Sequence, residues 1–245
     1  YYFIFTFYFL GFGVIVALIT SLINYNTSFT DIDNKLKNIA ISEIAFKREF
    51  LIDYIDQTEN LLYSIARNEL TIRYLKSGDA SDKKNLNNLF YALSYANKEI
   101  MQLRYLDTAG KEIIRIDRDK KTPELLIVPE NKMQDKSQRY YFLETSLLMA
   151  NQFWHSNIDL NVEQGKIEVP FKPTFRVAMI VVVENQFKGI IIANILFENV
   201  LKTITNSNNF HIYLIDKDGE IIHHPNRSGS WSKYLDNKQT LFELF

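Results

Sequence analysis

The sequence predicts an α+β fold in which a long N-terminal helix precedes antiparallel sheets with helices packed against them. Three observations indicate this fold class: an uncharged apolar run at the N-terminus, a long stretch of helical apolar spacing after it, and strand-like alternation with Asp and Gly turns beyond residue 100. A chain of 245 residues, 47% hydrophobic and 23% charged, is long enough for one large domain or two small ones.

The composition excludes several kinds of site. With 28 basic and 29 acidic side chains, a formal net charge of −1, the chain lacks the basic excess of a nucleic-acid-binding protein. It has no cysteine, which excludes disulfides, thiolate metal sites and a thiol nucleophile. The adjacent His223 and His224 point to opposite faces of a predicted strand and cannot hold one metal ion together. We therefore expect no cofactor, no metal and no nucleic-acid partner.

Residues 1–25 are predicted to form a transmembrane helix. No charged side chain occurs before Asp31, and residues 1–24 are mostly Phe, Tyr, Ile, Leu and Val. A bilayer core needs about 20 such residues in a helix, and tyrosines at both ends of the run match the aromatic belts of membrane-spanning helices. An uncleaved signal peptide and a buried core helix are the alternatives, but the run is longer than the hydrophobic part of a signal peptide.

Residues 26–80 are predicted to form one long amphipathic helix, a stalk. Apolar residues recur at intervals of three and four, as on the buried face of a helix, and neither Pro nor Gly occurs between Asn24 and Ser77. Gly78 then provides a stop. Such a helix can carry mechanical information from a distal domain to the membrane, although a plain coiled-coil scaffold has the same pattern. A second helix is predicted over Lys83–Lys98.

The pattern then changes to strands. Alternating residues on both sides of the turn Asp107–Gly110 predict a β-hairpin of Met101–Leu106 and Lys111–Ile116. Further along the chain we predict a helix, three strands and a loop between the last two strands: Ser137–Ala150, then Trp154–Leu160, Arg176–Val183 and Gly189–Phe197, with the loop Glu184–Lys188.

Part of the hairpin pattern occurs a second time. A predicted hairpin of His211–Asp216 and Glu220–Pro225 also turns through Asp-x-x-Gly, and both turns are soon followed by Glu-Ile-Ile. An internal repeat indicates two related domains in tandem, the second of them truncated. Because Asp-x-x-Gly turns are common, chance similarity between two hairpins is the alternative.

Several short motifs, in this order, resemble double Cache (PAS-like) extracytoplasmic sensor domains. They are Gln102–Asp107 with Gly110–Arg115, Lys136–Phe142, Asp159–Glu168, Pro170–Pro173 with Arg176, and Tyr213–Pro225. The resemblance extends over about Leu36–Phe245 and implies tandem PAS-like domains with antiparallel sheets. It implies that residues 81–200 form the membrane-distal Cache domain and that residues 201–245 begin a truncated membrane-proximal one.

Bacterial diguanylate cyclases, sensor histidine kinases and chemoreceptors have such domains outside the membrane. The resemblance therefore implies the ligand-sensing part of a transmembrane receptor in the inner membrane, with everything beyond the N-terminal helix in the periplasm. It further implies a homodimer, a small-molecule ligand bound in the membrane-distal domain, and no enzymatic activity in this region itself. Cyclase or kinase output would belong to a cytoplasmic part.

Two other classes of protein remain as alternatives. One is a membrane-anchored structural or assembly protein with a helical stalk, although a stalk alone needs no sheet. The other is a membrane-tethered enzyme, for which the sequence lacks a nucleophile or metal constellation. A bound small molecule without turnover would separate the sensor from the enzyme, and a defined multimeric ring without a ligand would favour the structural protein.

The resemblance places the ligand pocket near Arg139. A guanidinium beside the phenol rings of Tyr140 and Tyr141 suits a carboxylate or amide ligand, and a surface arginine beside two core tyrosines is the alternative. Amino-acid-sensing Cache domains have Arg-x-Trp-Tyr in the matching helix and a later Asp for the amino group of the ligand. Here Arg139 matches, whereas Tyr141 stands in the Trp position and Phe142 in the Tyr position.

Three further candidates follow on the next predicted strand. Trp154 and Ser156 share one face by the two-residue alternation, and Asp159 lies on the other unless a bulge intervenes. Asp159 is either a carboxylate that binds an amine of the ligand or a cap of the turn before Asn161.

Two strand arginines complete the candidate site. Arg104 either pairs with an acid on the surface of its hairpin, Glu112 or Asp117, or contacts the ligand. Arg176 enters an apolar strand, where a charge needs a partner, and is either a pocket residue or the partner of Glu163 or Glu168. The candidate ligand-binding residues are thus Arg139, Tyr141, Trp154, Ser156, Asp159, Arg176 and Arg104.

Overall fold

The computed structural model describes residues 2–119, 122, 124–163, 166–226, 229–234 and 240–243. The chain divides into two compact units, residues 1–49 and residues 50–245. The domain boundaries predicted at residues 25, 80 and 200 remain predictions.

The first unit is helical. Helix α1 runs over Tyr2–Ala66, and its large apolar side chains from Tyr2 to Ile23 are all exposed. The hydroxyls of Thr6 and Thr20 donate to the carbonyl four residues earlier, so they need no water as a partner. With a mean hydropathy of 2.3 over its most apolar window, which is unburied, α1 is long and apolar enough to cross a membrane by length and composition.

The structure corrects the extent of the long helix predicted over residues 26–80. Helix α1 ends at Ala66, and a separate helix α2 follows over Glu69–Ser77. Asn68 makes the break, because its backbone is extended and its side-chain oxygen accepts a hydrogen bond from the N–H of Leu70 at 2.9 Å. The apolar spacing continues across the break since side chains of both helices pack against the same core.

Gly78 ends α2, as its place in the sequence predicts. Its φ of +69° is left-handed, and its N–H donates to the carbonyl of Tyr74 at 2.8 Å. Helix α3 then runs over Ala80–Ala96, close to the predicted Lys83–Lys98, and buries Phe90 completely.

The rest of the second unit is built on strands. The described residues form eleven of them, together with two short helices, α4 (Tyr140–Ser146) and α5 (Glu198–Thr205): β1 (Ile100–Leu106), β2 (Glu112–Arg118), β3 (Leu125–Ile127), β4 (Phe153–His155), β5 (Asp159–Leu160), β6 (Val162–Glu163), β7 (Lys166–Ile167), β8 (Pro173–Val183), β9 (Gln186–Leu196), β10 (Leu214–Ile215) and β11 (Ile221–His223). The main sheet is antiparallel and has the order β3-β2-β1-β9-β8-β4, and β5 also pairs with β8. The predicted α+β class is confirmed.

The two long predicted hairpins are present. Strands β1 and β2 pair so that Arg104 lies opposite Arg115. Strands β8 and β9 pair along nearly their whole length, and their turn is shorter than the predicted loop Glu184–Lys188. Both turn residues, Glu184 and Asn185, have left-handed φ values of 52° and 61°, as a two-residue hairpin turn requires, so β9 begins already at Gln186.

Two predicted elements are shorter than expected. The helix predicted over Ser137–Ala150 is reduced to α4, and the strand predicted over Trp154–Leu160 is divided into β4 and β5. Between these two strands, the hydroxyl of Ser156 accepts the N–H of Arg176 at 2.9 Å and donates to the carbonyl of Asn157 at 2.7 Å. The side chain of Ser156, rather than a backbone carbonyl, thus accepts the N–H of Arg176. This exchange interrupts the strand between β4 and β5.

The repeated Asp-x-x-Gly turns have the same geometry. In each turn the Asp side chain accepts two backbone N–H groups at 2.9 and 3.0 Å. Gly110 and Gly219 have φ values of 80° and 82°. The strands beyond the turns differ, since β1 and β2 belong to the main sheet whereas β10 and β11 form a sheet of two. The tandem, truncated second domain remains a prediction.

The main sheet has two different faces, which the two-residue alternation of its strands separates. One face packs against α1, α2, α3 and α5 through an apolar core that includes Leu103, Tyr105, Val177, Met179 and Ile191. The other face is apolar at one end, where a smaller cluster under α4 includes Leu106, Ala178, Ile180, Ile190 and Ile192. At its other end this second face bears polar and charged side chains, and they line the candidate site.

Candidate functional site

A cavity of about 520 Å³ lies on the charged end of the second sheet face. Strands β1, β2, β8 and β9 form its floor, and the segment before α4 contributes a wall. Seven cationic side chains line the cavity, against three acidic ones, Asp117, Asp119 and Glu168; the cations are Arg104, Arg115, Arg118, Lys136, Arg139, Lys172 and Arg176. The lining is therefore strongly cationic.

The alternation of β1 places Arg104 on the cavity floor, between two residues of the apolar core. Its guanidinium donates to the hydroxyl of Tyr141 at 3.0 Å and to the side-chain oxygen of Asn194 at 2.9 Å. It also forms an ion pair with Glu112 at 3.4 Å. The Nε of Arg104 is buried without a hydrogen-bond partner, a situation that costs about 1–3 kcal/mol for a polar group.

Glu112 is the centre of the ion-pair network beneath the cavity. Its side chain is fully buried, and it accepts hydrogen bonds from Arg104, from Arg115 at 3.3 Å and from the backbone N–H of Gln134 at 3.1 Å. Arg115 also binds both carboxylate oxygens of Asp117, at 2.8 to 3.1 Å. Burial lowers the pKa of Arg115, but its hydrogen bonds and the charges of Asp117 and Glu112 outweigh burial and raise that pKa.

Lys136 lies beside this network and experiences mostly positive charge. Burial lowers its pKa; Glu112 opposes this, while the positive charges of Arg104, Arg115 and Arg139 lower it further. Its ammonium group donates to the side-chain oxygen of Gln134.

Arg139 is exposed and occupies the N-cap position of α4, where its backbone is extended. Its guanidinium lies 5.8 Å from the centre of the Tyr141 ring. Among the residues that the structure describes, neither Arg139 nor Lys136 has a carboxylate within ion-pair distance.

Arg176 enters the cavity from the opposite side, on β8. It pairs with Asp159 at 2.8 Å rather than with Glu168, which instead binds Lys172 at 2.8 Å. Asp159 does not line the main cavity; it lines a separate cavity of about 100 Å³ together with residues of the C-terminal hairpin. Burial raises the pKa of Asp159, although the charge and hydrogen bond of Arg176 lower it.

The two remaining candidates are packing residues in this structure. The indole N–H of Trp154 donates to Glu144 at 2.6 Å, and its ring contacts that of Tyr140 edge to face at 5.6 Å. Neither Trp154 nor Ser156 lines the main cavity. The structure thus brings four predicted site residues to the cavity lining and places three outside it; the four are Arg104, Arg139, Tyr141 and Arg176. Their roles in ligand binding remain predictions.

Sequence reasoning missed several residues of the cavity. Asn194 could have been found, because it is the one polar residue in the apolar run Gly189–Phe197 and has the alternation of the cavity face. Gln102 precedes Arg104 by two residues and has the same signal. Lys136 and Lys172 lie outside regular strands and have no periodic signal.

Comparison with known proteins gives a family match and several structural likenesses. The family described as "Bacterial histidine kinase, sensor domain" matches residues 35–244. A domain of a sensory box/GGDEF family protein from Vibrio parahaemolyticus is 24% identical with a TM-score of 0.74, over 86% of this chain and 81% of that one. The extracellular domain of the histidine kinase vpHK1S-Z8 is also 24% identical with a TM-score of 0.74, over 87% and 77%.

A third solved structure belongs to a chemoreceptor. The sensory domain of Campylobacter jejuni Tlp3 with isoleucine bound is 12% identical with a TM-score of 0.61, over 80% of this chain and 73% of that one. The search among curated proteins found no match. These likenesses confirm the Cache-type sensor fold expected from the sequence motifs.

Proposed function

This chain belongs to the family of bacterial histidine kinase sensor domains, and we propose that it is the extracytoplasmic ligand-sensing region of a transmembrane signal-transduction receptor. The cavity on the second sheet face is the observation that carries this proposal. Its volume of about 520 Å³ is in the range of small-molecule sites, roughly 300–1,000 Å³. Because cations dominate its lining, we expect a ligand with a carboxylate or a similar group.

Four side chains would meet this ligand. Arg104, Arg139 and Arg176 converge on the cavity from three elements, and guanidinium groups bind carboxylates through paired, charge-assisted hydrogen bonds. Tyr141 contacts two of these arginines, so it would hold both in position.

The other three candidates would act through their neighbours. Asp159 and Ser156 bind the side chain and the backbone of Arg176, and would fix its direction. Trp154 packs against Tyr140 at the start of α4 and would fix that helix. Losses at these positions should therefore weaken ligand binding less than loss of a lining arginine.

The proposal extends to the membrane and to the oligomeric state. We expect residues 1–25 of α1 to span the inner membrane and the remainder of the chain to lie in the periplasm. We also expect a homodimer. Large apolar side chains of α1 beyond the predicted span are exposed, and a second copy would cover them, among them Phe29, Ile32 and Leu36.

A ligand signal would reach α1 through the sheet. Arg104 faces the cavity, and its neighbour Leu103 is buried in the same core as Leu62 and Ile65 of α1. Packed helices have discrete arrangements that differ by about 1–2 Å, so a small closure around the ligand can be passed on as a helix step. The ligand shifts this equilibrium only by its difference in affinity for the two states.

Thermal unfolding of the full chain in detergent micelles tests the proposal. The compounds are amino acids, carboxylates, amines, purines and sugars. A ligand at a hundredfold excess over Kd stabilises the native state by about 2.7 kcal/mol. We expect at least one compound to raise the unfolding midpoint of the wild type and of the control Arg73→Ala, an exposed helix arginine, but not that of Arg139→Ala. A library without any shift would contradict ligand sensing and favour the structural role.

A further inference from the structure

We propose that the cavity ligand is a small dianion, with two carboxylate groups or one phosphoryl group and no ammonium group. This inference rests on the proposed function of the same cavity and specifies the chemistry of its ligand. It differs from the isoleucine that is bound to the sensory domain of the chemoreceptor Tlp3.

The net charge of the side chains at the cavity supports a ligand with two negative charges. Among the described side chains, seven cations and three acids line it, and two further acids, Glu112 and Asp159, pair with lining arginines without lining the cavity themselves. Seven positive against five negative charges leaves an excess of two. A ligand with two negative charges would neutralise the site, whereas a zwitterionic amino acid would leave the excess in place.

The excess can be located on two side chains. Arg104 and Arg115 share Glu112 and Asp117, Arg176 has Asp159, and Lys172 has Glu168. Arg118 donates to backbone carbonyls and has further contacts. Among the described residues, Lys136 and Arg139 are the cavity cations without a carboxylate within ion-pair distance.

Lys136 and Arg139 are also close to one another. They are three residues apart in the segment leading into α4, and each lines the cavity. The charge of Arg139 lowers the pKa of Lys136, so the two side chains repel one another. A bound dianion would remove this repulsion.

Each acid of the cavity lining already has a hydrogen-bond or ion-pair partner, so none is reserved for an ammonium group. Asp117 binds Arg115 and Gln102, and Glu168 binds Lys172 and Asn161. Asp119 accepts the backbone N–H of Thr122 and has further contacts. The ammonium group of an α-amino acid would therefore have to share a carboxylate that is already ion-paired or hydrogen-bonded, whereas a dianion would not.

Calorimetric titration of the full chain in detergent tests the ligand chemistry with matched probes. Succinate and L-aspartate differ by the ammonium group, and succinate and butyrate differ by one carboxylate. We expect succinate to bind about tenfold to a hundredfold more tightly than either. Butyrate loses one charged hydrogen-bonded contact, and L-aspartate adds an ammonium group to a lining that already has an excess of positive charge. Malonate, glutarate and inorganic phosphate extend the set, and tighter binding of phosphate would identify a phosphoryl source of the same dianion chemistry.

Two variants test the positions. Lys136→Met and Arg139→Gln should each weaken succinate binding about tenfold to a hundredfold while leaving the unfolding midpoint of the unliganded chain unchanged or raised, because each removes a repulsion. The controls Lys132→Met and Arg73→Gln change exposed cations outside the cavity and should bind succinate like the wild type.

Each contrary result has a separate meaning. Tighter binding of L-aspartate or L-isoleucine than of every dianion would overturn the dianion inference and leave the proposed sensor function standing. The dianion inference would also be overturned if no dianion of the set bound more tightly than butyrate. The sensor function would still stand if another compound of the thermal screen bound. Absence of binding by every compound in both experiments would overturn the dianion inference and the sensor function together.

Discussion

The two faces of the main sheet are made by the same strands and differ in what they do. On the core face, Leu103 of β1 and Val177 of β8 are fully buried among apolar neighbours. The next residue along each strand lies on the cavity face. Arg104 of β1 is in the charged region, and Ala178 of β8 is in the small apolar cluster under α4. Because side chains alternate along each strand, one residue stabilises the core and its neighbour can contact a ligand.

This comparison explains why so much charge is tolerated inside the domain. A buried ion is costly unless it is paired and hydrogen-bonded. The sheet meets this need with the network around Glu112, which pairs two arginines at once. The apolar face supplies the burial that holds these strands in register, so the cavity face is free to carry polar groups.

The largest expected effect is on the cavity face and concerns the centre of its network. Glu112→Gln removes the one charge that faces both Arg104 and Arg115, and breaking a buried ion pair costs about 3–5 kcal/mol. We expect the free energy of unfolding, measured with denaturant, to fall by this amount. The exposed control Glu124→Gln should change it by less than about 0.5 kcal/mol. Equal behaviour of the two variants would show that the network contributes nothing to stability.

The next effect is on the core face. Leu103→Ala leaves a cavity at a fully buried position and should lower the free energy of unfolding by about 2–5 kcal/mol. Because Leu103 faces away from the cavity, the Kd for succinate of the folded fraction should stay within about twofold of the wild-type value. Calorimetric titration well below the unfolding midpoint measures this. A large loss of affinity would contradict the separation of the two faces.

The neighbouring residue should show the reverse behaviour. Arg104→Met keeps an apolar stem and leaves Glu112 paired with Arg115, so it should cost only about 1–2 kcal/mol of stability for the unpaired Tyr141 and Asn194 groups. The same substitution removes a lining cation and should weaken succinate binding at least about tenfold. Unchanged affinity would remove Arg104 from the ligand site.

The smallest expected effect is a pH dependence confined to the cavity face. The pKa of Lys136 is lowered by burial and by Arg104, Arg115 and Arg139, against the opposing effect of Glu112. Between this lowered pKa and the usual lysine value, the unfolded chain holds more protons than the folded chain, so the stability of the unliganded protein should rise with pH. Succinate affinity should fall over the same range, because Lys136 loses its charge. Lys136→Met should remove both trends, and their persistence would assign them to another group.

Much of this fold follows from local signals in the sequence. The two Asp-x-x-Gly turns form from their own side chains and backbone, so both hairpins could be predicted at the right place. The exposed apolar part of α1 and the strands β8 and β9 could be predicted because each contains a long apolar run. Asn68 was missed because its capping bond interrupts the helix without interrupting the apolar spacing.

The site was harder to predict than the fold. Alternation identified Arg104 as a residue of the sheet surface, but the choice between an ion pair and the ligand could not be made, and the structure gives it both a carboxylate partner and a place in the lining. The pairing of Arg176 with Asp159 depends on how the short strand β5 lies against β8, a contact between segments far apart in sequence. Single-sequence periodicity contains no information on such contacts.

Hydrogen–deuterium exchange of the full chain, with and without saturating succinate, tests most directly whether the charged end of the second sheet face is the ligand site. We predict slower exchange in residues 134–141 and in β1, where Lys136, Arg139 and Arg104 surround the cavity, and little change at the apolar cluster under α4. Protection confined to the C-terminal hairpin around Asp216 and Tyr234, or to the apolar cluster, would contradict this account.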